Sequence, residues 1–202
     1  MTMHYDRRRY FERAGILEQT ERALKILLPN KWCEVVDYTE EGQGQYTYIR
    51  EPNTNGQRVA VLPFDRGEEG IKFLMRAEPV VPWMDEPRMR GPLIPCAVTG
   101  GMEDPAEDPA DAALREMAEE TGFALPASRL VDLGQTRTVK CLSTVYHLFG
   151  ADVTGLTPKF ATTDGTVGES GCRIVWTRTP HHHPCAIAST MYARLGDHLT
   201  IR

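Results

Sequence analysis

Residues 101–123 read GMEDPAEDPADAALREMAEETGF, and this stretch decides the rest. It contains a short helix with marked ends. Asp108 suits the N-cap, Pro109 the first helical position where no N–H is needed, and Gly122 the left-handed stop. Asp111 adds an acid to the first turn, where the helix dipole favours it. Ala110, Ala113, Leu114 and Met117 recur at i, i+3, i+4, i+7 and form the expected core-facing stripe. Glu116, Glu119 and Glu120 recur at i, i+3, i+4 on a neighbouring face. Like charges at that spacing repel, so a helix that carries three beside its own apolar stripe invites a cation. Hard carboxylate oxygens suit Mg²⁺ or Mn²⁺, which in turn hold phosphates. The competing reading of an acidic run is a solvated helix face.

The spacing favours the cation. Gly101, Glu107, Arg115, Glu116, Glu119, Glu120 and Gly122, with apolar Met117 and Phe123, stand at every fixed position of the Nudix box. The chain thus resembles the Nudix hydrolases. The resemblance implies an α/β fold, a Nudix-type α/β/α sandwich with a mixed sheet. It also implies hydrolysis of a nucleoside diphosphate linked to another group X, with Mg²⁺ as cofactor and Mn²⁺ as the alternative. Carried over, Glu116, Glu119 and Glu120 are the metal ligands, joined by the Gly100 carbonyl, and Glu119 and Glu120 also act in catalysis. Arg115 orients a glutamate, while Gly101 and Glu107 support the loop. Thr99 departs from the proline that many relatives carry before the double glycine.

Outward from the box, residues 58–64 and 71–76 read as paired strands and 92–98 as a strand entering Gly100-Gly101. Residues 129–134, 143–151 and 173–177 read as further strands, and 186–195 as a closing helix. Arg76 is a candidate phosphate contact, with a strand-end salt bridge as the competing reading. Trp83 lies in a proline-rich loop among arginines and is a candidate for stacking on a nucleobase; simple surface packing is the alternative. Residues 153–168 suit a loop over the site. Relatives place a further glutamate there as metal ligand or general base, and Glu169 is preferred to Asp164 for that role. His181, His182 and His183 lie between Pro180 and Pro184, and adjacent histidines in a turn cannot all face one ion, so a surface turn is expected.

Residues 1–57 are expected to form an extension and 58–202 the hydrolase domain. Within the extension, residues 16–28 have helical spacing, and 32–38 with 45–50 read as a hairpin. In the ADP-ribose pyrophosphatase branch such an N-terminal sheet helps to form a dimer, so a homodimer is a candidate assembly; a sheet that merely covers the core is the equal alternative. Arg7, Arg8 and Arg9 read as a solvated turn or a subunit contact. Two hundred and two residues suffice for a sizeable core. A net charge of −5 excludes a general nucleic-acid binder but not a nucleotide substrate. Five scattered cysteines without a Cys-x-x-Cys pair point to reduced thiols in the cytoplasm. No apolar run is long enough to span a membrane, and no signal peptide is evident.

ADP-ribose or a nucleotide sugar is the first expectation for the substrate. The absence of proline from residues 137–140 counts against ADP-ribose, because relatives acting on it carry one downstream of the box. A dinucleoside polyphosphate or an oxidised nucleoside triphosphate is the enzymatic alternative, and a nucleotide sensor without turnover is the alternative from another class.

Overall fold

The computed structural model describes residues 23–29, 33–40, 44–79, 93–104, 106–159 and 171–199. They divide into two compact units. One takes the described residues of Met1–Gln57 with Arg137–Val145; the other takes those of Arg58–Thr136 and Tyr146–Arg202.

The first unit is an antiparallel three-stranded sheet in the order β1 (Ala23–Pro29), β2 (Glu34–Glu40), β3 (Gly44–Arg50). The expected hairpin is β2–β3, in a register that sets Glu34 opposite Arg50 and Asp37 opposite Thr47. Arg50 Nε donates to Glu34 at 2.8 Å, and buried Asp37 accepts from Gln45 and Thr47. Cross-strand pairs of this kind pin the register. The helix expected over 16–28 is corrected at residues 23–28, which belong to β1, while residues 16–22 lie outside the described residues. That strand sets Leu24 opposite Tyr38 and Ile26 opposite Val36, with an irregularity before Leu28. Leu24, Ile26 and Leu28 also fit a period of two, and in a short apolar run sheet pairing overrides a helical reading.

The second unit is a three-layer α/β/α sandwich. Its seven-stranded sheet has the order β10 (Arg173–Thr177), β5 (Gly70–Pro79), β4 (Gln57–Gly67), β9 (Val145–Asp152), β8 (Leu130–Thr136). Strand β6 (Leu93–Cys96) joins β5 and β7 (Val98–Gly101) joins β4. The helices are α1 (Pro109–Thr121) and α2 (Ala186–Leu199). Strand alternation makes the layers. Val59 and Val61 of β4, with Leu74 of β5, pack with Ala112, Ala113 and Met117 of α1. Ala60, Leu62 and Phe64, with Phe73 and Met75, pack with Ala188, Met191 and Leu195 of α2. Each such large apolar side chain stabilises the fold by about 1.5–3 kcal/mol relative to exposure.

The sheet forks where it meets the box. β4 and β5 pair from Gly67 and Gly70 as far as Phe64 and Phe73. Beyond that point β7 pairs with β4 over Arg58–Val61, while β6 pairs with β5 over Arg76–Pro79. Both pairings are antiparallel, as is β4 with β5, so the chain reverses at buried Ala97. The single strand expected over 92–98 is therefore two strands with a corner between them.

Candidate active site

The helix that carries the acids begins and ends where its chemistry dictates. Asp108 Oδ1 accepts from the Ala110 N–H at 2.8 Å, and Pro109 fills the first turn. At the other end Gly122 adopts φ 75° and donates its N–H to Ala118 O. The buried stripe is Ala112, Ala113 and Met117, flanked by Ala110. Leu114 is only half-buried, a small rotation from the expected stripe. The inward face also takes Glu116, which is 7% exposed.

A buried carboxylate needs room and a partner. Room comes from β7, where a Cβ on Gly100 would lie 1.7 Å from Glu116 Cδ and 1.9 Å from Oε1. The partner is Arg115. Its Nη1 donates to Glu116 Oε1 at 2.8 Å and to Glu119 Oε2 at 3.3 Å, Nε donates to Glu107 Oε1 at 3.3 Å, and Nη2 donates to the Gly101 carbonyl at 2.9 Å. Glu107 in turn accepts from the Glu103 N–H at 2.8 Å. One guanidinium thus ties helix, glycine strand and connecting loop together, using the fork geometry that favours arginine over lysine.

Electrostatics follow the same lines. Burial pushes the Glu116 carboxyl above its ordinary range; Arg115 opposes this most strongly, Glu119 adds to it, and Arg58 pulls it back. Burial alone would lower the Arg115 guanidinium, but its bonds to Glu107 and Glu116 more than reverse that. Arg58 faces Gly101 in the β4–β7 register, a relationship invisible until the strands are paired.

Glu120 belongs to a different guanidinium. Arg76 Nε lies 2.5 Å from Glu120 Oε2, and Arg76 Nη1 donates to Glu78 Oε2 at 3.0 Å. Arg76 is 9% exposed. Glu78 was not singled out in the sequence, although the Arg76–Glu78 spacing places both on one face of a strand. Burial pushes the Glu78 carboxyl up, against the pull of Arg76.

Among the described residues no three His, Cys, Asp or Glu side chains form a ready-made metal cluster. Two cations instead divide the box glutamates, Arg115 taking Glu116 and Glu119, Arg76 taking Glu120. The donor set nevertheless fits a hard divalent ion. It offers oxygens alone, carboxylates on one helical turn with the Gly100 carbonyl, and Glu116 is desolvated against glycine backbone, where added positive charge would stabilise its ionised form. Trp83, Asp164 and Glu169 lie outside the described residues. His181 and His182 are exposed in a turn, with His181 stacked on Tyr192 at 4.5 Å.

The NUDIX domain family matches residues 54–165, more than half of the chain. The chain therefore belongs to the Nudix family, as a pyrophosphohydrolase. No curated protein matches it. Among solved structures it is similar to an ADP compounds hydrolase, with TM-score 0.63 and 18% identity over 91% of this chain and 96% of that one. It is also similar to a Listeria monocytogenes protein assigned as a Nudix hydrolase, with TM-score 0.49 and 18% identity over 71% of this chain and 93% of that one. At 18% identity the likeness to the ADP compounds hydrolase speaks for the fold alone. Among the described residues no helix is long and apolar enough to cross a membrane.

Proposed function

We propose that this protein is a Mg²⁺- or Mn²⁺-dependent hydrolase of a nucleoside diphosphate linked to X, with ADP-ribose or a nucleotide sugar as substrate. The products are a nucleoside monophosphate and phosphorylated X. The observation that carries the reading is Glu116, buried over Gly100 and tied through Arg115 to Glu119, Glu107 and Gly101. A solvated acidic face has no need of that construction. The similarity in fold to an ADP compounds hydrolase supports the choice of substrate class.

Glu116, Glu119, Glu120 and the Gly100 carbonyl are the groups that would hold the ion. When bound, it neutralises the diphosphate and acidifies a coordinated water. The protein's part is to hold charge in place. Arg115 fixes Glu116 and Glu119 against mutual repulsion, and Glu107 fixes Arg115. Arg76 fixes Glu120, while Glu78 fixes Arg76. Such preorganisation places charge before the reaction needs it. Glu169 is proposed as proton acceptor for the attacking water on its position in the sequence. Residues 1–57 are proposed as an extension that contributes to a homodimer, with 58–202 as the hydrolase domain.

The test is a panel of ADP-ribose, nucleotide sugars, dinucleoside polyphosphates and nucleoside triphosphates, assayed with and without Mg²⁺. Release of a nucleoside monophosphate from ADP-ribose or a nucleotide sugar, lost in Glu119→Gln, is the expected result. Turnover confined to the other two classes would overturn the substrate assignment. Nucleotide binding without turnover would replace the enzyme by a sensor.

A further inference from the structure

One side of the acidic cluster carries an apolar surface that the box does not use. Among the described residues β10 is an outer strand of the sheet, paired with β5, and its register sets Ile174 opposite Arg76 and Trp176 opposite Leu74. Residues directly opposite in an antiparallel pair share one face of the sheet. Leu74 packs with Met117 of α1, and Arg76 holds Glu120 of α1, so that face is the one α1 covers. Ile174 and Trp176 therefore stand on the acid-bearing face, one strand beyond Arg76 and Leu74. Arg76 and Leu74 are buried there, whereas Ile174 and Trp176 are each 42% exposed. Cations bound the exposed pair. Arg76 stands at one end, and at the other Lys72 on β5 and Arg178 just past β10 share Glu69, at 3.3 and 3.0 Å. A second copy of the chain does not suit this surface. Two apolar side chains fall far short of the roughly 800 Å² that each partner gives to a standard interface. A five-residue outer strand that starts at Arg173 and is followed by Arg178 is also guarded against edge pairing. A small apolar patch built on an indole suits a single planar ring.

We propose that Trp176, with Ile174 beside it, is the platform on which the nucleobase of the substrate stacks. This rests on the reading of the box as a hydrolase of nucleoside diphosphates and adds where the nucleoside lies. Glu116, Glu119 and Glu120 fix the place of the diphosphate. Arg76 holds Glu120, so its strand partner Ile174 is the first side chain on the way from the cluster toward β10, and Trp176 is the next on that face. Diagonal neighbours across an antiparallel pair, such as Trp176 and Arg76, stand about 7–8 Å apart. That matches the scale on which phosphate and base are separated within one nucleotide. Stacking needs only a π face, so the indole favours any base over a bare sugar phosphate. Trp176 is thus a specificity residue. It touches the base and not the bond that breaks.

The experiment measures binding of AMP and of ribose 5-phosphate to the full-length protein in Mg²⁺ by titration calorimetry. The wild type should bind AMP the more tightly. Trp176→Ala should weaken AMP binding about tenfold or more, the worth of one base–aromatic stack, and leave ribose 5-phosphate within about twofold. Trp176→Phe keeps a ring and should recover most of the AMP affinity, which a general loss of structure would not allow. Should the alanine variant not fold, Trp176→Gln repeats the test with a longer side chain. With ADP-ribose as substrate, Trp176→Ala should raise KM while kcat changes little. Unchanged AMP affinity in Trp176→Ala would overturn the proposal. So would equal weakening of AMP and ribose 5-phosphate, or a wild type that does not prefer AMP. A dimer that dissociates in Trp176→Ala with AMP affinity intact would assign the face to a second copy instead. The reading of the box fails separately, through a wild type that binds AMP but releases no nucleoside monophosphate from any substrate in Mg²⁺.

Discussion

A side chain on Gly100 would begin 1.7 Å from the carboxyl carbon of Glu116. The glycine is therefore required by its neighbour, since the buried glutamate occupies the volume that any other residue would claim. The obstructing atoms are the far end of a side chain, so Gly100→Ala should fold and displace Glu116. The expected outcome is a loss of about 100-fold in kcat with a near-native circular dichroism spectrum, because misplacing one catalytic group by an ångström costs that much. Retention of full activity would show that the position of Glu116 is immaterial.

Arg115 supports several acids and one carbonyl, so its loss should be felt twice. Arg115→Ala leaves Glu116 and Glu107 without their main counter-charge in a half-buried setting. Urea denaturation should show a loss of about 2 kcal/mol or more. Turnover should fall even at temperatures where the variant is fully folded. Arg115→Lys keeps the charge but cannot reach along several directions at once, and it should recover stability better than activity.

Metal binding can be read without turnover. An ion that binds the folded site and not the unfolded chain raises the melting temperature with its concentration. Mg²⁺ at about 100 times its dissociation constant should stabilise the wild type by about 2.7 kcal/mol, measured by calorimetry. The shift should shrink sharply in Glu116→Gln and Glu119→Gln. Equal shifts in all three proteins would place the ion elsewhere.

His147 gives the fold a pH dependence of its own. Burial lowers its pKa below the ordinary 6.5, against the opposing charges of Asp132 and Asp108. The unfolded chain therefore binds more protons than the folded one in the window below 6.5 and above the lowered folded value. Stability should rise with pH through that window and be lost as the medium is acidified. His147→Gln should flatten this part of the curve, as measured by denaturant midpoints from about pH 5 to 7. Parallel curves for variant and wild type would show that His147 does not contribute.

The parts of the fold that were readable from the sequence are those governed by local rules. Asp108, Pro109 and Gly122 mark the helix by capping chemistry alone, and β4 and β5 announce themselves as apolar runs around a turn. The apolar residues of strand β1 satisfy two periods, and only pairing with β2 chooses between them. The Arg76–Glu120 pair joins a strand to a helix distant in the chain, and Arg58 meets the box only through the β4–β7 register. Residues 137–140 look like a link in sequence and 143–151 like one strand, yet residues 137–145 group with the first unit, where the Ser143 N–H donates to Ile49 O at 2.9 Å. Such relationships arise from tertiary pairing and have no local trace.

The corner at Ala97 gives the sheet the character of a caliper. Its two jaws are β4 with β7, which carries Gly100, and β5 with β6, which carries Arg76 opposite Cys96. Phe64 and Phe73, the last pair before the jaws part, act as the pivot. The gauge between the Gly100 floor under Glu116 and the Arg76 clasp on Glu120 is thus set by uncharged residues at the pivot. Trimming either aromatic ring should alter how far apart the two halves of the acidic cluster stand, leaving every charged group in the chain intact.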